Sequence, residues 1–341
     1  MYKNSSYTIQ FLILLIVLTA VFVLNISLGS VHIPLKEIFG SLFSSSTNNS
    51  FKYIILNYRI PKACVAILAG SGLAVSGMLM QTLFRNPLAG PFVLGISSGA
   101  SLGVAILIMG SAIFGGVLSV EFSNFSLAFA ASAGSFLVLF TVMLVARKIR
   151  DTMALLIIGL MFGSITSAIV SVLSYFSNSQ VLQQYIFWSF GSLGNLTWHQ
   201  IILFSLIILT GIFLAIISLK SLNAYLLGEN YARSLGITIK KSRTIIIIST
   251  SLLAGSITAF AGPIAFIGLA VPHLTKQIFD TTDHKILLPA VILYGAILML
   301  ICDTIAQLPG SEFTLPINAI TSIIGAPVVI WLLLRKRKMI F

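Results

Sequence analysis

The stretch RIPKACVAILAGSGLAVSGMLMQTLFRNPLAGPFVLGISSGAS, residues 59–101, decides how this chain folds. After Lys62 it runs without a charge to Arg85. About 20 apolar residues are enough to cross the hydrocarbon of a bilayer, so residues 62–82 read as a membrane span. Gly70, Gly72, Ala74, Ser76 and Gly77 crowd that span. Small residues let helix backbones approach closely, and in lipid it is packing rather than water exclusion that holds helices together. A break carrying Arg85, Asn86 and Pro87 separates this span from the next, at 94–115, where Gly95, Gly99 and Gly103 recur every fourth residue.

The same alternation runs through the whole chain. Its 341 residues hold 20 Lys and Arg against 8 Asp and Glu, and 57% are hydrophobic. Charges are expensive at the bilayer centre and gather between the apolar stretches. Ten spans are expected, at 9–29, 62–82, 94–115, 126–146, 153–174, 199–219, 243–262, 264–279, 286–306 and 316–334, forming one all-α integral membrane bundle over residues 1–341. With both termini in the cytoplasm, one side holds Lys3, Arg85, Arg147, Lys148, Arg150, Lys220, Arg233, Lys240, Lys241, Arg243, Lys276, Lys285 and Arg335 to Lys338. The other holds only Lys36, Lys52, Arg59 and Lys62, which is the positive-inside bias of a multi-pass protein of the cell (inner) membrane. The net charge of +12 therefore follows from topology and lipid contact, and no nucleic-acid partner is implied. The first run is longer than the apolar core of a usual signal peptide and reads as a retained span.

Between the spans, residues 30–58 read as a long external loop with a Ser/Asn-rich stretch at 44–50. Residues 175–198, with Tyr185, Phe187, Trp188 and Trp198, suit the membrane–water interface and a short helix across the bundle mouth. LGENYARSLGI (227–237) places two glycines around a short helical run, where Glu229 and Arg233 lie four apart, a spacing that allows a pair on one face. AGPFVLGISSGA (89–100) echoes AGPIAFIGLAVP (261–272), as an inverted repeat of spans 2–5 and 7–10 requires; chance likeness of Gly-rich helices competes with that reading. Cys64 and Cys302 form no metal or redox spacing and read as small buried side chains. There is no Gly-Lys pair anywhere, hence no phosphate-cradling loop, and no catalytic or cofactor-binding constellation is expected. Asp303 and His273 are the clearest titratable groups in the spans; their scarcity argues against a proton- or sodium-driven carrier.

The 59–101 stretch resembles the FecCD family of permeases, the membrane subunits of ABC importers for iron-siderophores, haem and cobalamin. The likeness rests on Arg59 and Pro61, on the run Gly70, Leu73, Ala74, Ser76, Gly77 and Gln81, and on RNPLAGPFVLGISSGA (85–100). It continues through WSFGSLG (188–194), LGENYARSLGI, AGPIAFIGLAVPH (261–273), TDHKILLPA (282–290) and IIGAPVVIWLLL (323–334). The resemblance implies a permease, homodimeric or paired with a close paralogue. It also implies two cytoplasmic ATP-binding subunits, which carry the ATP hydrolysis, and an external substrate-binding protein. It places Gly228, Glu229, Ala232, Arg233, Leu235 and Gly236 on the ATPase-coupling helix, with Asp283 and His284 as a second contact or as plain helix capping. Arg59 and Lys62 are then the docking residues for the binding protein, with lipid-headgroup anchoring as the simpler role. Gly77, Met78, Gln81, Arg85, Asn86 and Pro87 line the pathway or pack the helices. An iron-siderophore is the expected cargo. The chain departs from the family pattern at Lys62 and Gln307, where arginines are usual, and at Asn318, where glycine is usual. A stand-alone secondary transporter or channel, or a membrane scaffold, is the alternative.

Overall fold

The computed structural model describes residues 2–43, 49–113, 124–146 and 152–334. Most of the Ser/Asn-rich stretch and the basic residues Arg147, Lys148, Arg150 and Arg335 to Lys338 lie outside them. All regular structure among the described residues is helical, without strands. The chain begins with α1 (Tyr2–Ser27), α2 (Leu35–Phe43) and α3 (Asn49–Ile54), then a π-helical turn, Ile55–Arg59, that runs straight into α4 (Ile60–Phe84). A short 3-10 turn, Pro91–Leu94, precedes α5 (Ile96–Ile113), followed by α6 (Asn124–Ala146) and α7 (Thr152–Tyr175). Then come α8 (Ser179–Ser189), α9 (Trp198–Ile217), α10 (Leu219–Tyr225) and α11 (Glu229–Ser234). The last four are α12 (Ile239–Ala261), α13 (Ile267–Phe279), α14 (His284–Ala306) and α15 (Ile317–Leu334).

A helix lies on each of the ten expected segments. Seven, α1, α4 with its extension, α6, α7, α9, α12 and α14, are long and apolar enough to cross a membrane; α5 and α15 are apolar but shorter, and α13 has 13 residues. The 30–58 segment is not the plain loop expected of it. LKEIFGSLF folds into α2 because Ile38 and Ser41 turn inward while Leu35, Lys36 and Phe39 face out. Helix also begins well before residue 62: α3 and the π-helical turn Ile55–Arg59 lead without a break into α4, and Pro61 follows just after that turn. Residues 175–198 do carry a short helix, packed on α5: Asn178 caps α8 by accepting from Val181 N–H at 2.9 Å.

Packing repeats itself in the two halves. α4 packs on α14 as α12 packs on α6, and α4 lies on α13 as α12 lies on α5. α5 packs on α6 and α7 as α13 packs on α14 and α15, and α4 meets α12 between the halves. The echoing AGP segments form equivalent breaks. One leads from α4 into α5 and the other from α12 into α13, and each ends on a left-handed residue just before the helix, Gly95 at φ 74° and Phe266 at φ 66°. α4, α12 and α14 are the enclosed core, whereas α1, α6, α7 and α9 turn most of their surface outward. The small residues explain how the core closes. A Cβ on Gly77 would lie 1.8 Å from the Gly268 carbonyl oxygen, and one on Gly70 would lie 2.2 Å from that of Gly295. α4 therefore touches α13 and α14 backbone to backbone.

Candidate functional site

At one end of the bundle α10 and α11 stand out as a short helical bracket. Gly228 at φ 105° and Gly236 at φ 80° turn the chain on either side of α11, conformations that cost a side chain dearly. Ala232 is fully buried against the chain's own core, and Leu227, Tyr231 and Leu235 are at least half exposed. One face of α11 is thus used internally and an apolar face is left outward. Glu229 pairs with Arg243 of α12 at 2.8 Å and not with Arg233, which is exposed. The six-residue helix is too short to keep a four-apart pair in solvent once its first turn leans on α12. A cleft of about 440 Å³ separates the bracket from the end of α4, lined by Phe84, Arg85, Tyr225, Leu227, Gly228 and Tyr231 among others.

Asp283 and His284 sit beside this bracket, Asp283 half-buried and His284 fully buried. Asp283 is the N-cap of α14 and accepts from Lys285 N–H at 3.0 Å. That hydrogen bond holds its carboxyl below the usual carboxylate range. Its Oδ1 also accepts from Asn223 Nδ2 of α10 at 2.8 Å. His284 is fully buried, with Nδ1 2.6 Å from Asn223 Oδ1 and Nε2 2.9 Å from Thr82 Oγ1 on α4. Helix capping is what Asp283 does, and His284 has no surface to offer a partner. Asn223, Arg243 and Tyr231 were not singled out by sequence. The first two are polar residues whose partners lie at least 14 positions away, so spacing gave no sign of them.

The residues around 77–87 resolve into packing and a turn. Met78 is buried, and buried Gln81 donates to the Leu269 carbonyl at 3.1 Å, tying α4 to α13. Arg85 takes a left-handed conformation that ends α4, with its N–H on Gln81 and Thr82 carbonyls. Asn86 Oδ1 accepts from Leu88 N–H at 2.9 Å, and the Pro87 carbonyl is 2.9 Å from His273 Nε2. Arg85, Asn86 and Pro87 therefore build the α4–α5 turn.

At the opposite end, Arg59 and Lys62 do not point outward from the mouth as their position suggested. Lys62 pairs with Asp303 at 3.1 Å. Arg59 donates to the carbonyls of Leu28 and Val31 and to Gln307 Oε1. Gln307 Nε2 donates to Asp303 at 2.7 Å, and Asn25 Nδ2 of α1 does so at 2.9 Å. The reason is Asp303 itself: it is 1% exposed, and a buried carboxylate must be surrounded by donors and cations. Gln307, standing where an arginine was expected, is the bridge between carboxylate and guanidinium. Asn318, standing where glycine was expected, accepts from Ala265 N–H at 3.1 Å and so fixes the start of α15 to the break before α13. Nearby, Trp188, Phe187, Phe260, Gln184 and Gln200 line an open cavity of about 370 Å³ with no charged side chain among the described residues that line it.

The sequence that builds this bundle, with an apolar bracket at one end and a charged mouth at the other, matches the FecCD transport family model over residues 14–335. The chain belongs to the FecCD transport family. It is 37% identical over 330 residues to the hemin transport system permease protein HmuU of Yersinia pestis, covering 96% of this chain and 95% of that one. It is also 37% identical over 281 residues to the vitamin B12 import system permease protein BtuC of Citrobacter koseri, covering 82% of each. A solved structure described as the inward-facing conformation of a transporter assigned to the metal-chelate ABC type superposes with a TM-score of 0.82 at 27% identity, over 96% of this chain and 99% of that one. This FecCD chain is accordingly a multi-pass membrane permease with a transport role.

Proposed function

We propose that this FecCD permease is the membrane subunit of an ATP-driven importer of a metal chelate, with ten spans and both termini in the cytoplasm. The observation that carries the reading is the α10–α11 bracket. Leu227, Tyr231 and Leu235 expose apolar surface beside Arg85, Arg233, Lys240 and Lys241, on the side that the basic bias assigns to the cytoplasm. An apolar, exposed short helix at that level is a docking surface for a soluble partner, and two ATP-binding subunits, one for each permease copy, fit it. The mouth then faces outward, and an external binding protein docks there. Arg59 and Lys62 turn inward around Asp303, and the two cations against one carboxylate leave a net positive charge beneath its rim. Such rim charges act on association rate more than on affinity.

The cargo follows from likeness and not from geometry. The motifs point to ferric siderophores, and the relatives' names add haemin and vitamin B12. Proteoliposomes holding the permease with its ATPase and binding protein should take up one of radiolabelled ferric siderophore, haemin or cobalamin, and only with ATP. Uptake of any of these by the permease alone, with no ATPase present, would establish the stand-alone carrier instead.

A further inference from the structure

We infer that Asn223, His284 and Thr82 form a polar joint through which movement of the α10–α11 bracket is delivered to α4 and α14. The inference rests on the bracket being the ATPase docking surface. The donor pattern fixes the joint. Ionised Asp283 only accepts, so Asn223 turns its Nδ2 to it at 2.8 Å and its Oδ1 to His284. That oxygen takes the His284 backbone N–H at 2.9 Å and, at 2.6 Å, the Nδ1 proton. The neutral ring leaves Nε2 as an acceptor 2.9 Å from the Thr82 hydroxyl, whose single proton is placed between that nitrogen and the Met78 carbonyl, also 2.9 Å away. A single imidazole thus connects α10, the first residue of α14 and the last full turn of α4. His284 is 0% exposed and Thr82 is 3% exposed. The His284–Thr82 contact is buried and the bonds to half-buried Asn223 are partly so; hydrogen bonds with little access to water do not exchange readily for solvent when pulled, so they transmit displacement.

α10 also packs directly on α4 and α14, but the bracket's other side-chain bonds run to α12. Glu229 pairs with Arg243, and the Tyr225 hydroxyl donates to the Ile239 carbonyl at 3.3 Å, both on α12. The joint is therefore a separate route, into the helix pair α4–α14 at the centre of the core. Asn223, His284 and Thr82 are positioning residues; none of them needs to touch the ATPase.

The test uses the permease with its ATPase subunits in lipid nanodiscs, with Cys64 and Cys302 replaced by alanine. Nitroxides at Ser234→Cys, on the exposed end of α11, and Tyr58→Cys, at the mouth end of the α4 extension, report the separation of bracket and α4. In the parent, ATP with vanadate should leave that distance within about 2 Å of its nucleotide-free value, because the two move together. Asn223→Ala and Thr82→Val should match the parent without nucleotide, then shift or broaden by more than about 2 Å when ATP and vanadate are added. Thr82→Ser, which keeps the hydroxyl, should behave as the parent. Thr82→Val keeps side-chain volume and guards against a variant that merely misfolds. Unchanged distances in both Asn223→Ala and Thr82→Val with nucleotide overturn the joint. The docking reading is tested apart: an ATPase that stays bound to a Tyr231→Asp permease overturns that reading whatever the distances show.

Discussion

Asp303 organises the mouth of this permease from a position with almost no access to water. Its carboxylate draws Lys62 and the Gln307 and Asn25 amides toward it, and through Gln307 it orders Arg59. Asp303→Asn should lower unfolding stability in detergent by about 2 kcal/mol, because Lys62 is left with a largely buried and unpaired charge. Adding Lys62→Met to that variant should recover a good part of the loss. Additive losses in the four-variant cycle would show that the pair contributes no coupling. A second residue-scale expectation concerns close approach. Gly77→Ala pushes a methyl into the Gly268 carbonyl, so α4 and α13 must separate. Overpacking of this kind costs about 3 kcal/mol, and a thermal midpoint equal to that of the parent would contradict the backbone contact.

At the scale of elements, α11 illustrates how a six-residue helix divides its faces. Ala232 points inward and Tyr231 outward, one residue and about 100° apart. Substituting aspartate at each should separate two phenotypes. Tyr231→Asp should leave the permease folded and weaken its association with the ATPase by about tenfold or more, since a charge enters a docking contact. Ala232→Asp should instead destabilise the permease itself by about 3 kcal/mol, as an unpartnered carboxylate is forced into a packed core. Pull-down of the ATPase, read alongside the unfolding midpoint of each variant, checks both. Equal effects of the two substitutions on both readouts would mean that α11 does not divide its faces in this way.

For the molecule as a whole, the basic asymmetry and the bracket's position specify orientation. Single cysteines at Asn230 on α11 and at Phe313, which is 79% exposed between α14 and α15, lie at opposite ends of the bundle. An impermeant maleimide applied to cells or spheroplasts should label the Phe313→Cys site directly and the Asn230→Cys site only after permeabilisation. The reverse pattern would invert the topology and move the bracket outside.

The amino-acid order alone determined the membrane class, the ten helical segments and the glycine-bracketed short helix, because each is written locally. A run of about 20 apolar residues, a charge at its end or a glycine pair needs no distant partner to be read. The AGP echo was equally local, yet it gained physical meaning only when both copies proved to be breaks that end in a left-handed residue before a helix. Tertiary structure decided the rest. Glu229 chose Arg243 over Arg233, Lys62 and Arg59 turned inward, and His284 became an internal link. In each case the partner lies 14 to 248 positions away, or on a helix whose rotation the sequence leaves open. Helix patterning says which face is apolar; which neighbour that face meets is fixed only when the backbones close on one another. In this bundle that closure is set by glycines on α4 that let α13 and α14 come within contact of its backbone.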